Sequence, residues 1–312
     1  MSSPDDGTYG DGVGDERRGT LFGVLAYLCW GLFPLYWPLL EPANAVEILS
    51  HRVVWSLVFV VVLLAVRRQW AWVRYYLADR RRIALLSTAA VVIALNWGVY
   101  IWGVNHKHVV ETSLGYFINP LVTVLMGVLI LGERLRRLQW VATGIAAVAV
   151  IGLTVDYGRP PWIALVLAFS FGSYGLLKKK ANAGALESLT VETAVLVLPA
   201  FIYLVTIGAR GSGDFGHDGA RTALLIGTGV ITAVPLLFFG AAATRVPLST
   251  LGLLQYLAPT LQFLCGVVVY GEALPIGRLL GFAAVWLALA VFSYDALTSM
   301  RRQLALSATA IG

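Results

Sequence analysis

Charge is scarce in this chain. Of its 312 residues 13% are Asp, Glu, Lys or Arg and 58% are hydrophobic, with a mean hydropathy of +0.78. A soluble globular domain carries about 25% charged residues, so this composition excludes one. Cysteine is nearly absent: Cys29 and Cys265 each sit inside an apolar run, without metal-ligand spacing, and read as core filler. No G-x4-G-K-[ST] phosphate loop occurs, which argues against ATP drive within this chain. H-E-x-x-H and G-x-S-x-G are missing as well, and the Asp residues lie almost wholly in tails and loops, so an intramembrane enzyme is disfavoured and no cofactor is implied. Ten-residue segments of alternating polarity, the mark of a membrane β-barrel, are not seen either.

What the chain has instead is long apolar runs. A bilayer core needs roughly 20 apolar residues per helix, and ten runs of that order occur, at 20–40, 46–66, 83–104, 113–131, 139–155, 161–177, 189–208, 222–243, 249–270 and 277–296. The expectation is an all-α integral membrane protein of ten transmembrane helices, with the lipid bilayer as its first partner. The polar, acidic, Gly-rich stretch 1–19 reads as a disordered cytoplasmic tail, and 298–312 as a second tail. With the N-terminus inside, cytoplasmic loops carry seventeen Lys and Arg and the opposite loops five. That bias places both termini in the cytoplasm. It also absorbs the net charge of +6 as topology, leaving no reason to invoke nucleic acid.

Two segments are alike. PLVTVLMGVLILGE (Pro120 to Glu133) and PTLQFLCGVVVYGE (Pro259 to Glu272) both read P-x6-G-x4-G-E at an offset of 139 residues, and YLCWG (Tyr27 to Gly31) weakly echoes AFSFG (Ala168 to Gly172). The expected organisation is a first five-helix repeat over 20–157 and a second over 158–297. Five is odd, so the second copy enters the membrane from the other side, the inverted arrangement characteristic of secondary transporters. Pro120 and Pro259 then mark corresponding kinks. Each lacks an N–H, freeing the carbonyls of Tyr116 and Gln255, with Asn119 and Tyr256 beside them, to face either a substrate path or a neighbouring helix.

The second run opens with EILSHRVVW, Glu47 to Trp55. A charge at a helix centre costs roughly 2.5 to 3.5 kcal/mol on insertion scales, so such residues usually face a bundle interior or a water-filled cavity. His51 and Arg52 are therefore expected to face the cavity between the repeats, with bonding to a neighbouring helix or snorkelling as the alternative. His51, with a reference pKa of about 6.5, could change charge during a cycle. Glu47 reads as a headgroup-zone residue and Glu192, in the seventh run, as one near the cytoplasmic end that can snorkel. With His51 they are the evident titratable candidates for proton coupling. In the third run Asn96, Trp97 and Tyr100 suit a wall for an amphipathic substrate or an interhelical hydrogen bond equally. His106, Lys107 and His108 lie in an outer loop without a carboxylate or Cys cluster, so no metal site is expected.

EILSHRVVW, NWGVYIWGVN, SLGYFINPLV, LGERLRRLQW, LAFSFGSYG, AAATRVPLSTLGLLQYLAPT and VYGE closely resemble the RarD branch, often labelled chloramphenicol-sensitive protein, of the EamA-type transporters in the drug/metabolite transporter superfamily. The resemblance spans about residues 18–298. It implies a ten-helix bacterial inner-membrane permease of two EamA repeats with both termini cytoplasmic, acting on a small molecule. A proton-coupled secondary transporter is thus the leading expectation, ahead of a non-transporting scaffold or sensor.

Overall fold

The computed structural model describes residues 8–68, 70–131, 135–243, 245–246 and 254–309. Among the described residues every regular element is helical. In lipid no water satisfies backbone N–H and C=O groups, so a spanning segment must bond them within itself. The chain forms α1 (Thr8–Gly31), two 3-10 turns (Phe33–Leu35 and Trp37–Leu40), α2 (Ala45–Arg67), α3 (Ala71–Ala78), α4 (Arg80–Asn105), α5 (Val109–Leu131), α6 (Arg137–Tyr157), α7 (Trp162–Ala181), α8 (Ala185–Ala209), α9 (Gly219–Ala243), α10 (Leu257–Leu264), a π-turn (Cys265–Val269) and α11 (Ile276–Thr309). Eight of these helices are long and apolar enough to cross a membrane, while the apolar parts of α7 (Trp162–Lys178) and of α10 with its π-turn (Leu257–Val269) are shorter.

Three elements differ from the sequence expectation. Helix α1 begins at Thr8, inside the stretch read as a disordered tail, and α11 continues past 298 to Thr309. Extending an existing helix adds one hydrogen bond per residue without a new nucleus, so polar flanks can continue an apolar run. The run 20–40 is not one helix: α1 stops at Gly31, and Pro34 and Pro38, which cannot donate, leave the rest as 3-10 turns. The short α3 was not anticipated, being too short to register as an apolar run.

The helices form two compact units. The first comprises Met1–Ala90 and Asn182–Leu261, the second Val91–Ala181 and Gln262–Gly312. Each draws on both halves of the sequence, so compactness follows helix pairing rather than chain order. In the first unit α2 packs on α8 and α9, and α1 on α9. Gly229 of α9 lies directly against the backbone of Trp55 in α2, where any Cβ would collide with the Trp55 carbonyl. In the second unit α5 packs on α7 and α6 on α11. A Cβ at Gly115 would stand 2.8 Å from the Ala164 carbonyl oxygen, so this close approach also requires glycine.

Candidate functional site

In the first unit the N-terminus of α2 gathers the charges. Asn44 Oδ1 accepts the Val46 and Glu47 amides, each at 3.0 Å, which caps the helix. Glu47 is 1% exposed, and its Oε1 accepts the Asp214 N–H at 2.7 Å. Asp214 in turn holds Arg221 at 3.2 Å. The connection between α8 and α9 folds over the carboxylate, so Glu47 is bonded within the protein.

One turn on, His51 is 4% exposed and stacks on Phe215 with ring centroids 4.9 Å apart. Its Nδ1 accepts the Trp55 indole N–H at 3.3 Å, while its Nε2 is buried without a hydrogen-bond partner. A neutral imidazole that accepts at Nδ1 carries its proton on Nε2. Arg52 is 3% exposed. It donates from Nε to Thr232 Oγ1 at 2.8 Å, and its Cζ lies 5.4 Å from the Trp37 ring centroid and 5.8 Å from that of Phe33. The Thr232 hydroxyl in turn donates a hydrogen bond to the Thr228 carbonyl oxygen at 2.8 Å.

The remaining expected residues of this unit are spread more widely. Glu192 does not snorkel: it is 1% exposed and accepts the Ser188 hydroxyl at 2.5 Å. Gln255 and Tyr256 form a turn immediately before α10, and Tyr256 O accepts the Thr260 N–H and hydroxyl. Pro259 therefore stands in the first turn of α10 rather than in a helix interior. Amides there have no intrahelical partner to lose, so a proline is tolerated. Pro120, by contrast, lies inside α5, which continues through it. A shallow cleft lined by Phe59, Val60 and Leu63 of α2, Leu186 and Leu189 of α8, and Ala233, Leu236 and Leu237 of α9 contains none of the expected site residues.

In the second unit Asn96 is fully buried. Its Nδ2 donates to Leu167 O at 3.0 Å and Ser170 Oγ at 2.9 Å, and its Oδ1 accepts the Tyr116 hydroxyl at 3.0 Å. The amide thus joins α4, α5 and α7, the interhelical option among the two expected for it. Tyr100 meets the Tyr116 ring edge-on at 5.6 Å, Asn119 accepts Thr123 Oγ1 at 3.5 Å, and Trp97 is half-buried.

Residues 17–155 match the EamA-like transporter family. "Protein RarD" of Streptomyces exfoliatus is 58% identical over 289 residues, covering 92% of both chains. An "Uncharacterized transporter" of Vibrio cholerae is 44% identical over 91% of this chain and 94% of its own. "Chloramphenicol-sensitive protein RarD" of Pseudomonas aeruginosa is 32% identical over 92% and 97%. A solved crystal structure matches in fold alone, with a TM-score of 0.52 and 17% identity over 88% of this chain and 97% of its own. This chain belongs to the RarD branch of the EamA transporters.

Several polar groups of this RarD-branch chain escaped the sequence reading. Glu111, 2% exposed at the start of α5, takes Arg159 through two oxygens at 2.8 and 3.3 Å and also accepts the Ile163 amide at 3.2 Å, capping α7. The bonded carboxylate raises the Arg159 pKa. Glu272 of the repeated G-E pair caps α5, accepting the Val109 and Val110 amides at 2.5 and 2.9 Å, and its burial pushes its own pKa up despite those bonds. Asp295, 6% exposed in α11, pairs with Arg136 at 2.5 Å. Glu111 and Asp295 lie on helices, beyond the His51, Glu47 and Glu192 set. Each sits at the fringe of an apolar run, where hydropathy alone gives an acidic residue no prominence. Glu133, the first copy of the G-E glutamate, lies outside the described residues.

Proposed function

We propose that this RarD-branch protein is a secondary transporter in the bacterial inner membrane, with both termini cytoplasmic. It crosses the bilayer ten times and moves a small amphipathic metabolite or drug, coupled to protons, by alternating access of two inverted repeats. The observation that carries this reading is the burial of His51 and Arg52 within an otherwise apolar helix, because such residues mark ion or substrate paths far more often than lipid-facing structure.

Matched contacts favour the duplication. A Cβ on Gly31 would meet Leu261 and Ala258, and one on Gly172 would meet Val122, Thr123 and Met126. Of these, Leu261 and Val122 stand 139 residues apart, at equivalent positions in the two copies of the repeated segment. The shorter α7 and α10 then complete ten crossings.

His51 offers a coupling step. A second proton on the ring must enter at Nδ1, which expels the Trp55 indole N–H from that atom. Proton binding is thereby linked to the position of Trp55, whose backbone meets Gly229 of α9. The test is solute flux in proteoliposomes under an imposed pH gradient, screening metabolites and amphipathic drugs. Wild type should show gradient-dependent flux that His51→Gln flattens with pH and Arg52→Lys largely abolishes. Native flux in both variants at every pH would refute the assignment and leave the pair as a packing device.

A further inference from the structure

From the end of α2 to the start of α4 the chain reads RRQWAWVRYYLADRRR (Arg67 to Arg82), six arginines against one acid. Both flanking helices are long and apolar enough to cross a membrane, so this connection lies where one bilayer face meets water. With eight residues, α3 is about 12 Å long and cannot cross. The one acid is already engaged: Asp79 Oδ1 accepts the Arg82 N–H at 3.0 Å, and Oδ2 lies 3.7 Å from Arg82 Nε. Arg82 also packs over the Tyr76 ring at 4.8 Å. The other five, Arg67, Arg68, Arg74, Arg80 and Arg81, are exposed and have no ion-pair partner among the described residues. Arg136, Arg159, Arg221, Arg245 and Arg278, by contrast, each reach an Asp or Glu. Arg80 and Arg81 also occupy the first turn of α4, where the positive end of the helix dipole disfavours a cation unless an anion lies nearby. The exposed side of α3 is not purely polar. Tyr75 is 72% and Leu77 69% exposed. Trp70, Arg74 and Leu77, at spacings of four and three, share one exposed face.

We propose that α3 and its flanking arginines form a docking surface for anionic phospholipid. Helix α3 lies in the interface, with Trp70, Tyr75 and Leu77 at the acyl boundary and Arg67, Arg68, Arg74, Arg80 and Arg81 gathering the phosphates. Trp and Tyr rings settle at headgroup level, and long arginine stems can lie on apolar surface while the guanidinium reaches the headgroups. A planar guanidinium fork matches two phosphate oxygens at once. Basic loops by themselves set only orientation. Aromatic and aliphatic side chains exposed among unpaired charges call for a lasting contact with the leaflet, and clusters of four to eight Lys or Arg beside a membrane helix have the charge to hold anionic lipid. This goes beyond the transport reading and holds whatever solute the protein moves.

The experiment uses full-length protein lacking Cys29 and Cys265, with a fluorophore on Ala78→Cys at the exposed end of α3. It is reconstituted into phosphatidylcholine vesicles containing a minor fraction of either brominated phosphatidylglycerol or brominated phosphatidylcholine. Bromine quenches on contact, so quenching reports the lipids beside α3. The anionic lipid should quench equally at about one-fifth the mole fraction or less, since one arginine near an anionic surface contributes about fivefold. Arg74→Gln alone should lower that preference, and Arg74→Gln with Arg80→Gln and Arg81→Gln should abolish it. Tyr75→Ser with Leu77→Ser should instead weaken quenching by both lipids, with unchanged thermal midpoints confirming that the variants are folded. Equal quenching by the two lipids around the unsubstituted arginines, or an undiminished preference in the folded single and triple variants, overturns the proposal. Quenching by neither lipid would place α3 in the aqueous phase and also overturn it, in favour of an acidic soluble partner.

Discussion

Removing the Asn96 amide should destabilise the second unit by about 2 kcal/mol. Asn96 makes three hydrogen bonds, to Leu167 O, Ser170 Oγ and Tyr116 OH, all between 2.9 and 3.0 Å and all interhelical. Interhelical side-chain hydrogen bonds in membrane proteins average about 0.6 kcal/mol and reach about 1.7, so three together give about 2 kcal/mol. Asn96→Leu removes all three while nearly conserving volume, which keeps a cavity contribution out of the measurement. Tyr116→Phe removes one and should cost about 0.6 kcal/mol. The double variant should show a coupling of similar size, because the Tyr116 bond is already absent once Asn96 is replaced. Reversible unfolding in mixed detergent micelles, followed by far-UV circular dichroism, measures each term, with flux assayed on the same preparations. Native stability in Asn96→Leu together with lost transport would refute the reasoning. It would mean the amide contacts substrate and its bonds to α5 and α7 contribute nothing.

Glu272 has a pKa raised by burial, so the folded protein binds its proton more readily than the unfolded chain does. Stability should fall as pH rises from the ordinary glutamate value of about 4.3 toward the higher folded value, and Glu272→Gln should flatten the thermal midpoint across that window; an unchanged slope would contradict the burial argument. In a background lacking Cys29 and Cys265, cysteine at exposed Lys107 should react with an impermeant thiol reagent in whole cells, and cysteine at exposed Asn182 only after lysis; labelling of both from the same side would overturn the inverted topology. Pro120→Ala restores an amide inside α5, whereas Pro259→Ala acts where the helix is only beginning. The first should therefore change flux more than the second, while equal effects would restore the symmetric-kink reading.

The sequence by itself determined the membrane class and the placement of the apolar segments. Hydropathy is a local property, and about twenty apolar residues in a row leave a backbone few options besides a helix in lipid. The repeated P-x6-G-x4-G-E pattern and the oddity of His51 and Arg52 were equally legible, because both are visible without knowing any partner. Partners were what the sequence could not supply. Arg52 meets Thr232 and Asn96 meets Leu167 across long stretches of chain, and no periodicity in either helix identifies the other. Burial also reversed meanings: Glu47 and Glu192 sit at helix ends that hydropathy assigns to headgroups, yet a loop amide and a serine hydroxyl hold them inside. The boundaries at Thr8 and Thr309 and the turn at Gln255–Tyr256 depended on whether a helix, once begun, found reason to stop. The pairing of Glu111 with Arg159, and of Glu272 with the first amides of α5, arose only when distant segments brought charged groups and helix ends together. There desolvation makes every charge seek a partner, and only the tertiary fold decides which partner is near.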